Sequence, residues 1–411
     1  MQQPVTVTGV NEFIADGDQV YTVTVGPSQS ADDPDYVGLS QSVKLTNKDD
    51  DIPYIKVDPS TASGTTQENG GTAKFGVSLS SQPTDVVTVT VTSSNTKAGT
   101  VSSGTLMFTT ANWNVVQNII VTGVDDKIDD GDVSYTVLLS GASNDSNYGV
   151  ASNTLSLVNK NDDTASIKLN PTTLLQPAEA GGKATFTVVL TSQPTGNVVL
   201  AVTSSNTQQG TVSVTGAGSG ANPPTLTFTG GATGSWNTPQ TVTVTGIDNF
   251  SAGANPMYTV SVKPTSASAD SKYAGFAAST IAVQNTNEDI PGVTITPVAP
   301  TTTCATGPGT SATFNVVLTS QPLGAVSISF VSQLPLEGTA TPSPLSFSAT
   351  TWNIAQPVIV TGLDDGTMGS ATPYTVVTTA SSTADPSYNA VSVADLMCVN
   401  TTAAAPTPPS P

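Results

Sequence analysis

WNVVQNIIVTG, residues 113–123, recurs as WNTPQTVTVTG at 236–246 and WNIAQPVIVTG at 352–362, and a shortened PVTVTG at 4–9 is a fourth copy. Within each copy apolar residues alternate with polar ones: Ile119 and Val121, Val242 and Val244, Val358 and Val360, Val5 and Val7. Alternation of period two marks a strand with one buried face. Twelve residues beyond the closing glycines Gly9, Gly123, Gly246 and Gly362 stand Tyr21, Tyr135, Tyr258 and Tyr374. A second tyrosine ends each of DPDY, DSNY, DSKY and DPSY, at Tyr36, Tyr148, Tyr273 and Tyr388. Upstream, Phe75, Phe186 and Phe314 lie six residues before an SQP. The glycines are 114, 123 and 116 residues apart, which is the length of a domain.

One unit, 52–163, contains strand patterns near 54–58, 72–80, 86–93, 104–110, 118–124, 134–140 and 153–159, separated by Gly, Pro, Asn, Asp and Ser clusters. Seven strands in so short a span describe an immunoglobulin-like antiparallel sandwich. The expected fold is all-β: tandem seven-stranded sandwiches arranged as beads on a string. The units are 1–51, which holds the C-terminal half of a repeat, then 52–163, 164–289 with loop insertions GAGSGANPP and GGATGS, and 290–400, followed by a Pro-rich tail at 401–411. The tryptophan, phenylalanine and tyrosines of each unit are core and corner residues on this reading.

Composition narrows the function. The 411 residues carry a formal net charge of −19, with no histidine and no arginine, so all eleven cationic side chains are lysines. Nucleic acid is excluded as a partner, because little here can neutralise phosphates or read base edges. Catalysis is not expected either: the usual acid–base residue is missing, and a Ser-His-Asp triad cannot be built without it. No apolar run approaches the roughly 18 residues of a membrane helix. Cys304 and Cys398 belong to the last unit alone. Cys398 occupies the inward position that Leu45, Leu157 and Val283 fill in the other units, and Cys304 lies in the first-strand region that should run beside it, so a disulfide is expected. Paired cysteines imply export.

The stretch DDKIDDGDVSY, 125–135, crowds five aspartates into eight positions, which is unfavourable unless a cation or full solvation intervenes. Together with the GGTAKFGVSLS strand at 70–80, the hydrophobic residue followed by DD, and the closing acidic runs, it makes the chain resemble the Calx-beta domains. That resemblance implies calcium held by loop carboxylates at one end of each sandwich. Carried over by position, the ligands would be Glu68, Asp125, Asp126, Asp130, Asp162 and Asp163, with Asp132 a further neighbour. The matching positions in unit one hold Asn11, Glu12 and Asp16, then Asp49, Asp50 and Asp51. Calcium accepts six to eight oxygens in loose geometry, so such loops suit it. An EF-hand loop is excluded, because Ile128 occupies a ligand position. In unit three the turn keeps Asp248, with Glu179 upstream, and in unit four Asp364 and Asp365; full sites are not expected in either.

The resulting expectation is a non-enzymatic structural segment of a bacterial cell-surface adhesin or extracellular filament, exported and stiffened by Ca2+, whose partners are other copies of the repeat. The alternative is a carbohydrate-binding adhesin module that takes a surface glycan, for which Phe250 and Met257 are the candidate contacts. Alone, unit one would expose Val5, Val7, Tyr21, Val23 and Val25, which calls for either preceding sequence or a second chain.

Overall fold

A computed structural model of the chain describes residues 1–58, 64–216, 219–298, 304–307, 309–366 and 371–401. The expected tail, from 402 onward, lies outside these. Two compact units are present, Met1–Ser166 with Thr191–Thr195, and Ile167–Leu190 with Gly196–Pro411. The fold is all-β, in tandem antiparallel sandwiches.

In the first unit, one sheet orders Ile55–Asp58, Thr72–Leu79, Gln117–Gly123 and Gly99–Val101; the other orders Thr65–Gln67, Ser152–Lys160, Val133–Ala142, Val87–Ser93 and Thr105–Phe108. Two short strands add to the seven legible in sequence. Thr65–Gln67 is the first strand's continuation after it changes sheets, pairing parallel to the last strand with Thr66 opposite Asn159. Gly99–Val101 is a three-residue pairing on the Gln117–Gly123 edge, too short to show an alternation. Phe75, Val77, Val89, Phe108, Ile119, Val121, Val137 and Leu139 meet between the sheets, each 2% exposed or less. Removing a core aromatic such as Phe75 or Phe108 would cost about 3–5 kcal/mol.

The repeated tyrosines have two different jobs. Tyr148 is 1% exposed, and its hydroxyl donates to the Ser81 carbonyl at 2.9 Å and accepts from the Ser81 N–H at 3.0 Å. This ties the SQP turn to the DSNY corner. Tyr135 instead lies against Gly99, where any Cβ would collide with its ring, and its hydroxyl meets Thr66 Oγ1 at 3.0 Å.

Residues 1–51 contribute one hairpin, Gln19–Val25 with Gln41–Asn47, in which Tyr21 faces Leu45 and Val23 faces Val43. Residues 4–9 form no strand, contrary to the expectation drawn from PVTVTG. In the second sandwich the equivalent strand, Gln117–Gly123, is held by Thr72–Leu79. Val5, Val7, Tyr21 and Val25 are exposed at 67, 41, 37 and 58%, whereas Val23 is half-buried.

In the second unit, Ile167–Asn170, Lys183–Leu190, Gln240–Gly246 and Gly210–Val214 form one sheet, and Thr225–Phe228, Val198–Ser204, Tyr258–Pro264 and Ser279–Val283 the other. The next sandwich repeats the order of the first unit's, with Val293–Pro297, Ser311–Leu318, Gln356–Gly362 and Gly338–Thr341 facing Cys304–Thr306, Leu396–Asn400, Thr372–Ser381, Val326–Ser332 and Leu345–Phe347. Cys304–Thr306 runs parallel to Leu396–Asn400 with Cys304 opposite Cys398, and Cys398 is 1% exposed. No helix among the described residues is long and apolar enough to cross a membrane.

Candidate metal centre

The sandwich end that gathers carboxylates is assembled by short-range rules. Gly123 and Gly246, which close two of the WN repeats, lie where the chain cannot tolerate a side chain: a Cβ on Gly123 would strike the Gln67 carbonyl, and one on Gly246 the Ala178 carbonyl. This close approach brings the residue after Gln67, and the one after Ala178, beside the acidic turn. Both are glutamates. The asparagine of the last strand then ties the closing run to the same turn. Asn159 Nδ2 donates to the Val124 carbonyl at 3.0 Å, and Asn47 Nδ2 to the Val10 carbonyl at 3.1 Å.

In the second sandwich Glu68, Asp162 and Asp163 bring carboxylate oxygens within 4.8 Å of one another. Glu68 is 2% exposed, and its Oε2 and the Asp163 Oδ2 are buried without accepting any hydrogen bond. Burial pushes the Glu68 carboxyl up to about 7, reinforced by the charges of Asp126, Asp130 and Asp163; the Asp162 backbone N–H offsets part of this. Burial also raises Asp163, with Lys127 opposing and Asp125, Asp162 and Asp126 reinforcing. A buried carboxylate oxygen with neither donor nor cation is costly. An all-oxygen set of this kind suits a hard divalent ion.

The other sequence candidates fall into two groups. Asp125, Asp126 and Asp130 lie near enough to act electrostatically on Glu68 or Asp163, although Asp125 also forms an ion pair with Lys127. Asp132 points elsewhere: it pairs with Lys160 and accepts from the Asn161 N–H at 3.2 Å, and the Lys160 hydrogen bond lowers its carboxyl. Asp129, which the sequence did not single out, accepts from the Ala165 N–H at 2.9 Å and shapes the turn.

In unit one, Asn11, Glu12, Asp16, Asp49, Asp50 and Asp51 line a single cavity of about 290 Å³. Its neighbour Asp18 is engaged by Lys48. Desolvation and then the charge of Asp16 raise Glu12, with smaller contributions from Asp49 and Asp51. Asp51 is raised by desolvation and by Asp49 and Asp50.

The third sandwich also gathers carboxylates. Glu179, Asp248 and Asp289 converge within 4.8 Å, Glu179 is fully buried, and both its oxygens and Asp289 Oδ2 accept no well-formed hydrogen bond. Burial raises the carboxyls of both Glu179 and Asp289. Glu288 supports the loop by accepting from the Glu179 and Ala180 N–H groups at 3.2 and 2.7 Å. A sequence signal for Asp289 was present: counted four residues from the last-strand asparagine, Asp51, Asp163 and Asp289 are equivalent. In the fourth sandwich that count reaches Ala404, and Asn400 Nδ2 binds Glu337 Oε2 at 3.0 Å. No comparable carboxylate group forms there among the described residues.

Of the glycan candidates, Phe250 has its ring 5.9 Å from that of Trp352, and Met257 is 61% exposed.

No family model and no curated protein matches the chain. Solved structures with a similar arrangement include the S-layer protein SbsC domains 4 and 5, at 18% identity over 57% of this chain and 98% of that one, with a TM-score of 0.24. Others are a protocadherin gammaB7 EC3-6 cis-dimer, at 10% identity over 94% and 84% with a TM-score of 0.31, and the calcium binding domain CBD12 of CALX1.1, at 16% over 53% and 82% with 0.25. Superposition is poor in all three, so these likenesses carry no argument about what the chain does.

Proposed function

We propose that this chain is a non-enzymatic structural segment of a bacterial cell-surface filament or adhesin, in which Ca2+ at one end of its sandwiches stiffens a spacer outside the cell. The observation that carries this reading is the pair of buried glutamates, Glu68 and Glu179, with oxygens that accept no well-formed hydrogen bond and lie beside further carboxylates. A structure does not retain such groups cheaply without a counter-charge, and the chain offers no arginine or histidine to supply one. Glu68, Asp162 and Asp163 would hold one ion and Glu179, Asp248 and Asp289 another, with Asp125, Asp126 and Asp130 completing the first. In unit one, Glu12, Asp16, Asp49, Asp50 and Asp51 are the ligand candidates.

Cys304 and Cys398 are proposed to form a disulfide, which their facing register supports and which suits an exported protein. Exposed valines on the hairpin of unit one, Val20, Val25 and Val43, favour other copies of the repeat as partners. Calcium titrated into the full chain, followed by calorimetry and small-angle scattering, tests the whole reading. Saturable binding with reduced interdomain motion is expected; identical curves in calcium and chelator would remove the stiffening role.

A further inference from the structure

The acidic turns share a third position that the metal reading does not use. Counted from the closing glycines it is Phe13, Lys127, Phe250 and Gly366. In each of the first three the backbone carbonyl of that residue accepts from the N–H of an SQP glutamine. Gln82 reaches Phe13 at 2.6 Å and Gln193 reaches Lys127 at 2.7 Å within the first unit, and Gln321 reaches Phe250 at 2.6 Å within the second. Where the residue is phenylalanine, its ring also meets a tryptophan: Phe13 and Trp113 have centroids 5.7 Å apart at 42°, Phe250 and Trp352 5.9 Å apart at 38°. Both are tilted, offset contacts of the kind that aromatic pairs favour.

The receiving side is built for this. Gln82 and Gln321 point their side-chain amides inward, Nε2 donating to the carbonyls of Thr110 at 2.9 Å and Ala349 at 2.7 Å, which leaves the backbone N–H facing out. The serine before each glutamine is held by the corner tyrosine, Ser81 by Tyr148 and Ser320 by Tyr388. Trp113 and Trp352 lie on the edges of their own cores, half-buried, with one face left for the incoming ring. On the donating side Lys127 and Phe250 adopt φ of 76° and 59°, a conformation that side chains rarely accept. It presents the carbonyls to the Gln193 and Gln321 amides.

We propose that the joints made by Phe13 and Phe250 are knob-and-socket contacts, in which the third residue of the acidic turn seats on the SQP glutamine and the tryptophan of the sandwich that follows. The socket's partner is therefore a preceding module of the same type. This explains why SQP, WN and DxxY recur together: the three motifs build one surface. It also separates joint from ion, because neither Phe13 nor Phe250 offers a side-chain ligand. Gly366 carries no ring, so the fourth turn presents only a carbonyl.

Hydrogen exchange of single amides in the full chain, measured in chelator so that calcium plays no part, tests this. In the wild type the Gln82 and Gln321 amides should be protected. Phe250→Ala should speed exchange at Gln321 at least tenfold and shift Trp352 emission to the red, with core amides such as that of Val358 unchanged. Phe13→Ala should do the same at Gln82, giving a second reading if either variant folds poorly. Met257→Ala, on the same turn but away from the ring contact, should alter neither. Unprotected glutamine amides in the wild type, or protection that survives both phenylalanine substitutions, would overturn the proposal, as would an equal effect of Met257→Ala.

Discussion

The second and fourth sandwiches share a strand order and differ at one corner. In the second, the first strand meets the last through Thr65–Gln67, and the next residue, Glu68, enters a group of carboxylates. In the fourth, Cys304–Thr306 makes the same parallel pairing, with Cys304 opposite Cys398 where the second sandwich has Gly64 and Leu157. Beyond it comes Gly307, and no buried acid follows at the equivalent place among the described residues. A short parallel ladder of three residues cannot hold a strand unaided. The proposal for this protein is that one copy secures it with an ion and the other with a covalent bond.

That contrast can be broken from either side. The largest effect belongs to the fourth sandwich: Cys398→Ser should cost about 2–5 kcal/mol, lowering its calorimetric transition by roughly 10 °C or more and leaving the others in place. Next comes Glu68→Gln. In chelator at pH 8 it should stabilise the second sandwich, on the order of 3 kcal/mol at most, by removing a buried charge, while abolishing the stabilisation that calcium gives the wild type. A merely solvated acidic turn would show neither change in thermal unfolding.

The pH dependence sharpens the same point. Glu68 titrates at about 7 in the fold and at 4.5 ordinarily, so the fold prefers its protonated form. That contribution is complete below about pH 4.5 and is lost as the pH climbs through 7. The metal-free second sandwich should therefore weaken over this window, and calcium affinity should strengthen over it, because ligands bind deprotonated. Chemical denaturation at pH 5 and pH 8, with and without calcium, reads both trends. The smallest effect is expected of Asp132→Asn, since its Lys160 pair is half exposed; calcium affinity should hardly move in a direct titration.

Much of this was legible in the repeat. Alternating valines and isoleucines placed the strands, and the inward position of Cys398 followed from Leu157 in a sister copy. The two short strands escaped because three residues such as Gly99–Val101 cannot show a period. Spacing alone groups Asp132 with the turn's other aspartates, because it does not report which way a side chain points. Asp289 escapes the spacing argument for the opposite reason: the turn before Tyr258 has lost most of its acids, and the carboxylate that joins Glu179 and Asp248 comes from a closing run 41 residues beyond Asp248. The tryptophans read as core residues; Trp113 and Trp352 also meet the rings of Phe13 and Phe250, contacts that no single repeat reveals.

The central claim is that buried carboxylates at the sandwich ends hold calcium. Isothermal titration of the full chain at pH 8, compared with the Glu68→Gln, Glu179→Gln double variant, tests it most directly. Saturable binding by the wild type that loses two sites in the variant is the predicted result. Equal heats from both proteins, or none above dilution, would contradict it.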